Sequence, residues 1–239
     1  MKGSLLYEGK AKRVYHTDDP EQLILSYKDD ATAFNGKKKE SFPGKGRLNN
    51  LITSKVFQSL HQQHIKTHFI QALNETEQLV YKTDIVPLEV VVRNKAAGSI
   101  TRRLGITEQT LFQPPILELF YKNDELNDPL INDVHAYHLT GIREQDLLFI
   151  KEQALLINEH LSHIFQKAGL ELIDFKLEFG FLPDGRLVLS DEISPDTCRL
   201  WDLETGTKMD KDVFREEIGS LTDTYERILQ RLEESVCAK

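Results

Sequence analysis

The sequence predicts an α+β protein with two lobes and a cleft between them. The first third of the chain is rich in short β-like runs, such as residues 11–17 and 22–29, which the turn-prone segment DDPE separates. The second half mixes long amphipathic helices with strands. With 40% hydrophobic and 28% charged residues among 239, the chain has enough apolar side chains for a sizeable core. We place the boundary near residues 80–86, between a lobe of residues 1–84 and a lobe of residues 85–239.

The first lobe is expected to hold one helix between two groups of strands. Residues 46–64 place apolar side chains at helical spacing, at Leu48, Leu51, Ile52, Val56 and Leu60. Residues 67–94 return to a strand-like composition, which Pro87 interrupts. Within them the run LEVVVR is apolar enough to be a buried strand.

The second lobe is expected to hold two long helices and a β-hairpin. Residues 144–170 show apolar positions at helical spacing, and Gly169 suits the position that follows a helix. A strand, the turn LPDGR and a second strand follow over residues 173–192. Residues 209–235 predict one further amphipathic helix, with Asp210 as its N-cap.

The stretch IDFKLEFG, residues 173–180, alternates apolar and charged side chains. Successive side chains of a strand point to opposite faces of the sheet. The apolar set therefore belongs to the core, and Asp174, Lys176 and Glu178 share the other face. That charged face belongs either to a site or to the solvated outside of a surface hairpin, and the spacing leaves both possibilities open.

The partner of Glu178 across the hairpin depends on the length of the loop. An even loop sets Glu178 opposite Asp191, whereas an odd loop, with a type I turn and a glycine bulge, sets it opposite Ser190 and turns Asp191 away. We favour the even loop. Two carboxylates about 5 Å apart repel by about 3 kcal/mol at an effective dielectric constant of about 20. Lys176 would offset part of this repulsion, and Mg²⁺ would offset more, since it binds one or two carboxylates together with substrate phosphates.

Three segments place cations where a phosphate could bind. Lys10 and Lys12 follow Gly9 in an extended segment, and two neighbouring ammonium groups favour a shared anion. Arg93 ends an apolar strand that leads into a Gly-Ser pair, and Arg199 follows the carboxylate hairpin. Solvated lysines and structural arginines are the alternatives. The chain has neither a Walker A loop nor a GxGxxG motif.

Charge and composition argue against several classes of function. A net charge of −8 disfavours nucleic acid as a partner. No apolar run approaches the roughly 18 residues of a membrane span, and the N-terminus does not look like a signal peptide. Cys198 and Cys237 cannot form a disulfide framework, which fits a reducing cytoplasm. No histidine partner for Cys198 is identifiable, so we expect no cysteine nucleophile.

Five segments of the chain, in order, resemble the SAICAR synthase family: YEGKAKRVY, DDATAFNGKK, VPLEVVVRNKAAGS, LIDFKLEFG and SDEISPDTCRLWD. The resemblance implies a two-lobed, ATP-grasp-like fold with antiparallel sheets and a nucleotide cleft between the lobes. It implies an ADP-forming carbon–nitrogen ligase of purine biosynthesis. Such an enzyme joins carboxyaminoimidazole ribotide (CAIR) to L-aspartate and needs ATP and Mg²⁺. By resemblance to bacterial relatives, we also expect a homodimer.

The same resemblance implies roles for individual residues. ATP is expected to contact Lys10, Lys12, Lys82, Asp84, Ile85, Lys122, Glu178 and Asp191. Mg²⁺ is expected to bind Glu178 and Asp191. The ribotide and its reacting carboxylate are expected to contact Asn35, Arg93, Ser99, Asp174, Lys176 and Arg199. Lys176, Asp174 and Lys12 are the expected catalytic residues. Asn35 stands where some family members have an acid, so a role that requires a charge there is in doubt.

Charge neutralisation fits the implied chemistry better than a protein nucleophile does. Phosphoryl transfer to the CAIR carboxylate would give an acyl phosphate, from which the aspartate amine would displace phosphate. A small-molecule or lipid-type kinase on a related fold is the second hypothesis, and a non-catalytic nucleotide-binding protein is the third. A kinase would form ADP with one acceptor and no amine, so the dependence of ADP release on each substrate separates the hypotheses.

Overall fold

Two antiparallel sheets and a short ribbon organise the chain in the computed structural model, which describes residues 1–33 and 38–237. The strands are β1 Leu5–Glu8, β2 Lys12–His16, β3 Gln22–Tyr27, β4 Asp30–Ala33, β5 Lys38–Ser41, β6 Phe69–Ala72, β7 Glu77–Tyr81, β8 Asp84–Ile85, β9 Leu88–Lys95, β10 Leu111–Tyr121, β11 Leu130–Ile131, β12 Leu170–Phe181, β13 Leu187–Ser190 and β14 Cys198–Asp202. The helices are α1 Lys45–Gln62, α2 Ser99–Leu104, α3 Asp133–Thr140, α4 Glu144–Lys167, α5 Asp212–Arg215 and α6 Leu221–Cys237, with a 3-10 helix at Asp124–Leu126.

The first sheet is built from strands within residues 5–81, and the second is built from strands within residues 84–202. The first sheet has the strand order β1-β2-β3-β7-β6, and the second has the order β11-β10-β9-β12-β13, with β14 and β8 also paired to β12. Strands β4 and β5 pair with each other as a separate ribbon. Strand β12 is the central strand of the second sheet, because β8, β9, β13 and β14 all pair with it along its length. The proposed division at residue 84 remains a prediction.

Two of the predicted helices form as expected. Helix α1 covers Lys45–Gln62, and the apolar positions Leu48, Ile52 and Leu60 are fully buried. Helix α4 ends at Lys167, and Gly169 adopts the left-handed conformation (φ 69°) that suits the residue after a helix. Both helices direct their apolar stripes into one core, so helical periodicity was a sufficient signal here.

The single helix predicted over residues 209–235 is wrong, because the segment is broken in two. The Asp210 carboxylate is fully buried and accepts hydrogen bonds from the backbone N–H groups of Leu200 (2.9 Å) and Asp212 (2.7 Å). These bonds tie the start of the segment to β14 and leave only the short α5. The Ser220 hydroxyl then accepts from the N–H of Asp223 (3.3 Å), and a new helix, α6, begins.

One hydrophobic core extends through both halves of the molecule. It contains buried side chains of α1, α4 and α6 together with the apolar face of β12. Helix α1 packs against α6, which lies almost two hundred residues further along the chain. A second, small cluster lies within the first sheet. Among the described residues, no helix is both long and apolar enough to cross a membrane.

Candidate active site

A cavity of about 460 Å³ lies between the two sheets. Its walls come from the β1–β2 turn, from β3 and β7, and from the charged face of β12. The predicted ATP-binding residues on these walls are Lys10, Lys12, Ile85, Lys122, Glu178 and Asp191. The topology therefore brings residues from both ends of the chain to one place, as the cleft prediction requires.

Lys12 is held on the cavity wall by two carboxylates. Its ammonium lies 2.5 Å from an oxygen of Asp191 and 3.0 Å from an oxygen of Glu192. Burial by itself would lower the pKa of Lys12, but the charges of Asp191 and Glu192 outweigh it and hold the pKa well above its usual value. Lys10 is more exposed and pairs with Asp124 at 2.7 Å. Lys12 therefore keeps its positive charge for an anionic ligand.

The charged face of β12 looks into the same cavity. Lys176 contacts Glu178 (2.9 Å) and Glu89 (2.8 Å), which confirms that alternation puts residues 176 and 178 on one face. Glu178 is almost fully buried and also pairs with Lys122. Burial opposes the charged form of Lys176, yet Glu178 and Glu89 raise its pKa far above the usual value. The solvated-hairpin interpretation of this face is therefore wrong.

The prediction of a hairpin loop with an even number of residues is wrong. Glu178 pairs with Ser190, and the turn before β13 closes through hydrogen bonds from Leu182 N–H to Arg186 (2.8 Å) and from Gly185 N–H to Leu182 (2.9 Å). Gly185 takes the left-handed conformation (φ 84°), as expected for a type I turn with a glycine bulge. This local turn chemistry sets the register and removes Asp191 from direct opposition to Glu178.

Asp191 nevertheless lines the cavity beside Glu178. Strand β13 ends at Ser190, and Asp191 adopts a left-handed backbone (φ 60°), which breaks the alternation of the strand. The ring Nε2–H of His68 donates to the Asp191 carbonyl (3.0 Å), and burial lowers the pKa of His68 to about 4, so the ring is neutral. The left-handed backbone of Asp191 thus brings its side chain to the cavity, although the strand register alone would direct it away.

A second cavity, of about 680 Å³, adjoins the first and holds the predicted ribotide-binding residues. Asp174 accepts hydrogen bonds from Arg93 (2.5 Å) and Arg199 (2.9 Å), and Arg93 also donates to Ser99 (3.3 Å). Gly98 allows this arrangement, since a Cβ at that position would lie 2.5 Å from a guanidinium nitrogen of Arg199. Asp174 therefore aligns two arginines, which is a positioning role rather than that of a free base.

The two cavities share a wall. Lys176 and Asp196 contribute to both, as do Lys10 and Lys211. A ligand that reaches from one cavity into the other would pass beside Lys176. This geometry suits group transfer between a molecule in each cavity, because reacting atoms must approach to about 3–3.5 Å.

Two predicted residues, Lys82 and Asp84, do not line either of these cavities. Lys82 is exposed, and its backbone N–H donates to the Glu21 carbonyl (2.7 Å). Asp84 lines a neighbouring cavity on the other side of β8, which Ile85 also lines. Asn35 falls outside the described residues. The backbone of β8 pairs with β12 at Gly180 and Phe181, so the segment does border the cleft.

Several residues of the site were missed from the sequence. Asp196 lies on both cavities and accepts hydrogen bonds from Lys45 (2.5 Å) and the Tyr225 hydroxyl (2.7 Å). Lys211 falls within the helix predicted over residues 209–235 and received no role in the site, although it lies on the shared wall. The acid-rich motif SDEISPDT is the feature of the sequence that could have indicated Asp196. Lys211 could not be recognised, because helical periodicity does not predict the break at Asp210.

The donor set fits Mg²⁺ in the presence of a phosphate ligand. Within residues 1–33 and 38–237, no group of three or more side chains is arranged to hold a metal by itself. Glu178 and Asp191 supply two carboxylates on one cavity wall, with lysines nearby. Mg²⁺ commonly binds through one or two carboxylates and completes its shell with phosphate oxygens and water. The pair is therefore adequate only if a nucleotide supplies further ligands.

Comparison with known proteins agrees with this arrangement. A sequence profile for SAICAR synthetase matches residues 5–232. The phosphoribosylaminoimidazole-succinocarboxamide synthase of Oceanobacillus iheyensis is 62% identical over 98% of this chain and 99% of its own. The crystal structure of that synthase from Ehrlichia chaffeensis has a TM-score of 0.94 at 45% identity and covers 96% of this chain and 98% of its own.

A further solved structure carries a nucleotide. A structure of SAICAR synthetase in complex with ADP has a TM-score of 0.92 at 50% identity and covers 95% of this chain and 96% of its own. Together these matches confirm the expected α+β fold and the expected ADP-forming ligase activity of purine biosynthesis. The chain belongs to the SAICAR synthetase family.

Proposed function

We propose that the chain condenses CAIR with L-aspartate in the two adjoining cavities and converts ATP to ADP and phosphate. ATP would occupy the first cavity and the ribotide the second. The observation that carries the proposal is the shared wall at Lys176, because the γ-phosphate and the carboxylate of CAIR must meet at one point. The ADP complex of the relative supports a nucleotide in this fold.

The first step would transfer the γ-phosphoryl group to a carboxylate oxygen of CAIR, which gives an acyl phosphate and ADP. Lys12, Lys122 and Lys176 would neutralise charge on the phosphate oxygens as the P–O bond to ADP breaks. Glu178 and Asp191 would hold Mg²⁺, which supplies charge neutralisation of the phosphates when bound. The high pKa of Lys12 and Lys176 keeps both side chains charged during the step.

The second step would form the amide. The amine of L-aspartate attacks the carbonyl carbon of the acyl phosphate, inorganic phosphate leaves with the electron pair of the C–O bond, and the amine loses a proton. Arg93 and Arg199 would hold the ribotide phosphate, and Asp174 would keep both guanidinium groups in place. The site needs alignment and charge neutralisation, and no protein nucleophile takes part.

The decisive experiment is an ADP-release assay in which ATP, CAIR and L-aspartate are omitted in turn. We expect sustained ADP release only with all three present. ADP release that depends on CAIR alone, at the full rate and without L-aspartate, would support the kinase alternative. Nucleotide binding without turnover would support a non-catalytic protein.

We also propose that the chain acts in the cytoplasm as a homodimer with no nucleic-acid or membrane partner. The resemblance to bacterial relatives and the net charge of −8 support this. Sedimentation equilibrium checks the association directly, and a mass of 27.5 kDa independent of concentration would contradict the dimer.

A further inference from the structure

Lys211 lies on the wall that the two cavities share. It precedes α5, and its backbone N–H donates to the Pro195 carbonyl (3.1 Å), which ties it to the segment after β13. Its side chain is 14% exposed, so the ammonium is largely removed from water. A buried cation requires compensation by an anion.

Lys211 differs from the other lysines of the two cavities in how it is paired. Each of those four has a carboxylate oxygen within 3.0 Å: Lys10, Lys12, Lys122 and Lys176. The nearest carboxylate to Lys211 is that of Asp196, at 3.9 Å, beyond hydrogen-bond distance. That carboxylate already accepts from Lys45 and Tyr225. In the described part of the chain, Lys211 is thus the cavity lysine with the weakest compensation.

The electrostatic balance at Lys211 agrees with this geometry. Burial lowers its pKa, and the neighbouring cations Lys45 and Arg215 act in the same direction, while the charges of Asp196 and Glu192 only partly oppose them. An anion bound beside the ammonium would raise this pKa and favour the charged form. Lys12 and Lys176 do not require such an anion, because the carboxylates beside them already raise their pKa values.

Arg215 presents a second cation next to Lys211. It lies four residues further on, and its N–H donates to the Lys211 carbonyl (3.1 Å), so both side chains lie on the same face of one helical turn. Arg215 also lines the second cavity, and its pairing with Asp212 occupies one guanidinium nitrogen. Within residues 1–33 and 38–237 no other hydrogen bond or ion pair engages this guanidinium, so its remaining N–H groups can bind a ligand.

We propose that Lys211 and Arg215 bind the two carboxylates of L-aspartate. The inference rests on the proposed function, because it assigns the third substrate to a subsite beside the first two. ATP and the ribotide each have other cations: the lysines of the first cavity and the Arg93–Arg199 pair. L-Aspartate carries two negative groups a few bonds apart, and two cations one helical turn apart complement them.

The position also suits the reaction. The amine of L-aspartate must reach the activated carboxylate beside Lys176, and Lys211 lies on the same shared wall. An amino acid anchored by its carboxylates at α5 would direct its amine towards that wall. Binding energy from the two carboxylates would then serve orientation.

The test is steady-state kinetics of Lys211→Met with each substrate varied in turn. We expect the KM for L-aspartate to rise about 10- to 100-fold, as for loss of a charge-assisted hydrogen bond, while the KM values for ATP and CAIR change less than about threefold. Arg215→Met should show the same selectivity, and Lys211→Arg should recover part of the affinity. The matched control is Lys208→Met, which removes a lysine from the same segment but off both cavity walls.

The outcomes separate this inference from the proposed function. If the unaltered protein releases no ADP with all three substrates, the proposed function fails before any variant is measured. If it turns over and Lys211→Met leaves the KM for L-aspartate unchanged, the subsite is wrong. An equal or larger rise in the KM for CAIR would also overturn it and assign Lys211 to the ribotide.

Unchanged ADP affinity in the variant shows that the first cavity is intact. If Lys211→Met fails to fold, Lys211→Arg and Arg215→Met provide the same test.

Discussion

Carboxylates orient several cations of the two cavities before any ligand binds, namely Lys12, Lys122, Lys176, Arg93 and Arg199. Asp174 contacts Arg93 and Arg199 at once, and Glu178 contacts Lys176 and Lys122. Fixed cations need little reorganisation when negative charge develops on a phosphate, which is the main way a protein stabilises such a transition state. Single residues in this network are therefore expected to affect turnover more than folding.

Asp191→Asn should reduce turnover at saturating Mg²⁺ by about 100-fold or more, the loss typical when one group that stabilises developing charge is removed. The substitution removes a proposed metal ligand and the charge that faces Lys12. Rates measured across a range of Mg²⁺ concentrations check this. Asp184→Asn, in the exposed turn of the same hairpin, is the control, and near-normal rates for Asp191→Asn would remove that residue from the metal site.

Gly98→Ala should raise the KM for CAIR about 10-fold or more, because a displaced Arg199 loses a charge-assisted hydrogen bond. The added Cβ would lie 2.5 Å from a nitrogen of Arg199, whereas the first cavity is untouched, so the KM for ATP should change little. Gly105→Ala controls for a positive φ, because Gly105 has nearly the same φ (65° against 66°) and open space around its Cβ position. Its ψ differs, at 22° against −125° for Gly98. Equal effects of the two substitutions would mean that the contact with Arg199 is not responsible.

At the scale of secondary-structure elements, β12 connects the core to the chemistry. Its apolar face belongs to the hydrophobic core, and its charged face lines both cavities. Strands β9 and β14 pair with β12 and bring Arg93 and Arg199 directly opposite Asp174. The arginine pair is therefore a consequence of strand register, and helix α6 supports β14 from the other end.

Asp202, the last residue of β14, should make stability depend on pH in the acid range. The Thr205 N–H and Arg231 on α6 bind its carboxylate and lower its pKa to about 2. A depressed folded-state pKa stabilises the fold above the unfolded value near 4, and this contribution is lost as the pH falls towards 2. We expect Asp202→Asn to lower the free energy of unfolding by about 1–2 kcal/mol at pH 7 and by much less at pH 2.5.

Urea unfolding of both proteins at the two pH values measures this difference. Asp223→Asn is a suitable control, since that residue also lies on α6 but its hydrogen bond to the Ser220 hydroxyl comes from its backbone N–H. A pH-independent difference between the parent protein and Asp202→Asn would contradict the assignment of the effect to the carboxylate.

At the scale of the whole molecule, one core joins the two sheets. Helix α1 belongs to the first lobe by sequence, yet it packs against α6 and α4 of the second. Its buried Lys45 reaches Asp196 behind the shared cavity wall, and Tyr225 of α6 reaches the same carboxylate. The cleft is thus an opening within one cooperative unit, which suits two substrates that must be held in fixed relation.

Calorimetric unfolding should consequently show one transition, with the calorimetric enthalpy close to the van't Hoff enthalpy. Separate unfolding of residues 1–84 and 85–239 would require the core cluster to split, and its members come from both ranges. Differential scanning calorimetry at neutral pH measures this directly. Two resolved transitions would contradict the single core and support two independent domains.

The family motifs and the local patterns were sufficient for most of the fold and much of the site. Helical periodicity predicted α1 and α4, and strand alternation predicted the shared face of Lys176 and Glu178. Two local errors followed from features that periodicity does not carry. The hairpin register depended on a glycine bulge at Gly185, and the break before α6 depended on hydrogen bonds that the buried Asp210 carboxylate accepts.

The sequence by itself determined the fold class, the family and the charged face of β12, because periodicity and long motifs are properties of neighbouring residues. Only the tertiary structure decided that Asp191 enters the cavity, that Asp174 aligns two arginines, and that Lys211 lies where the two cavities meet. The reason is physical: strand pairing and core packing set the distance between residues far apart in the chain, and a single left-handed residue can reverse the direction of a side chain.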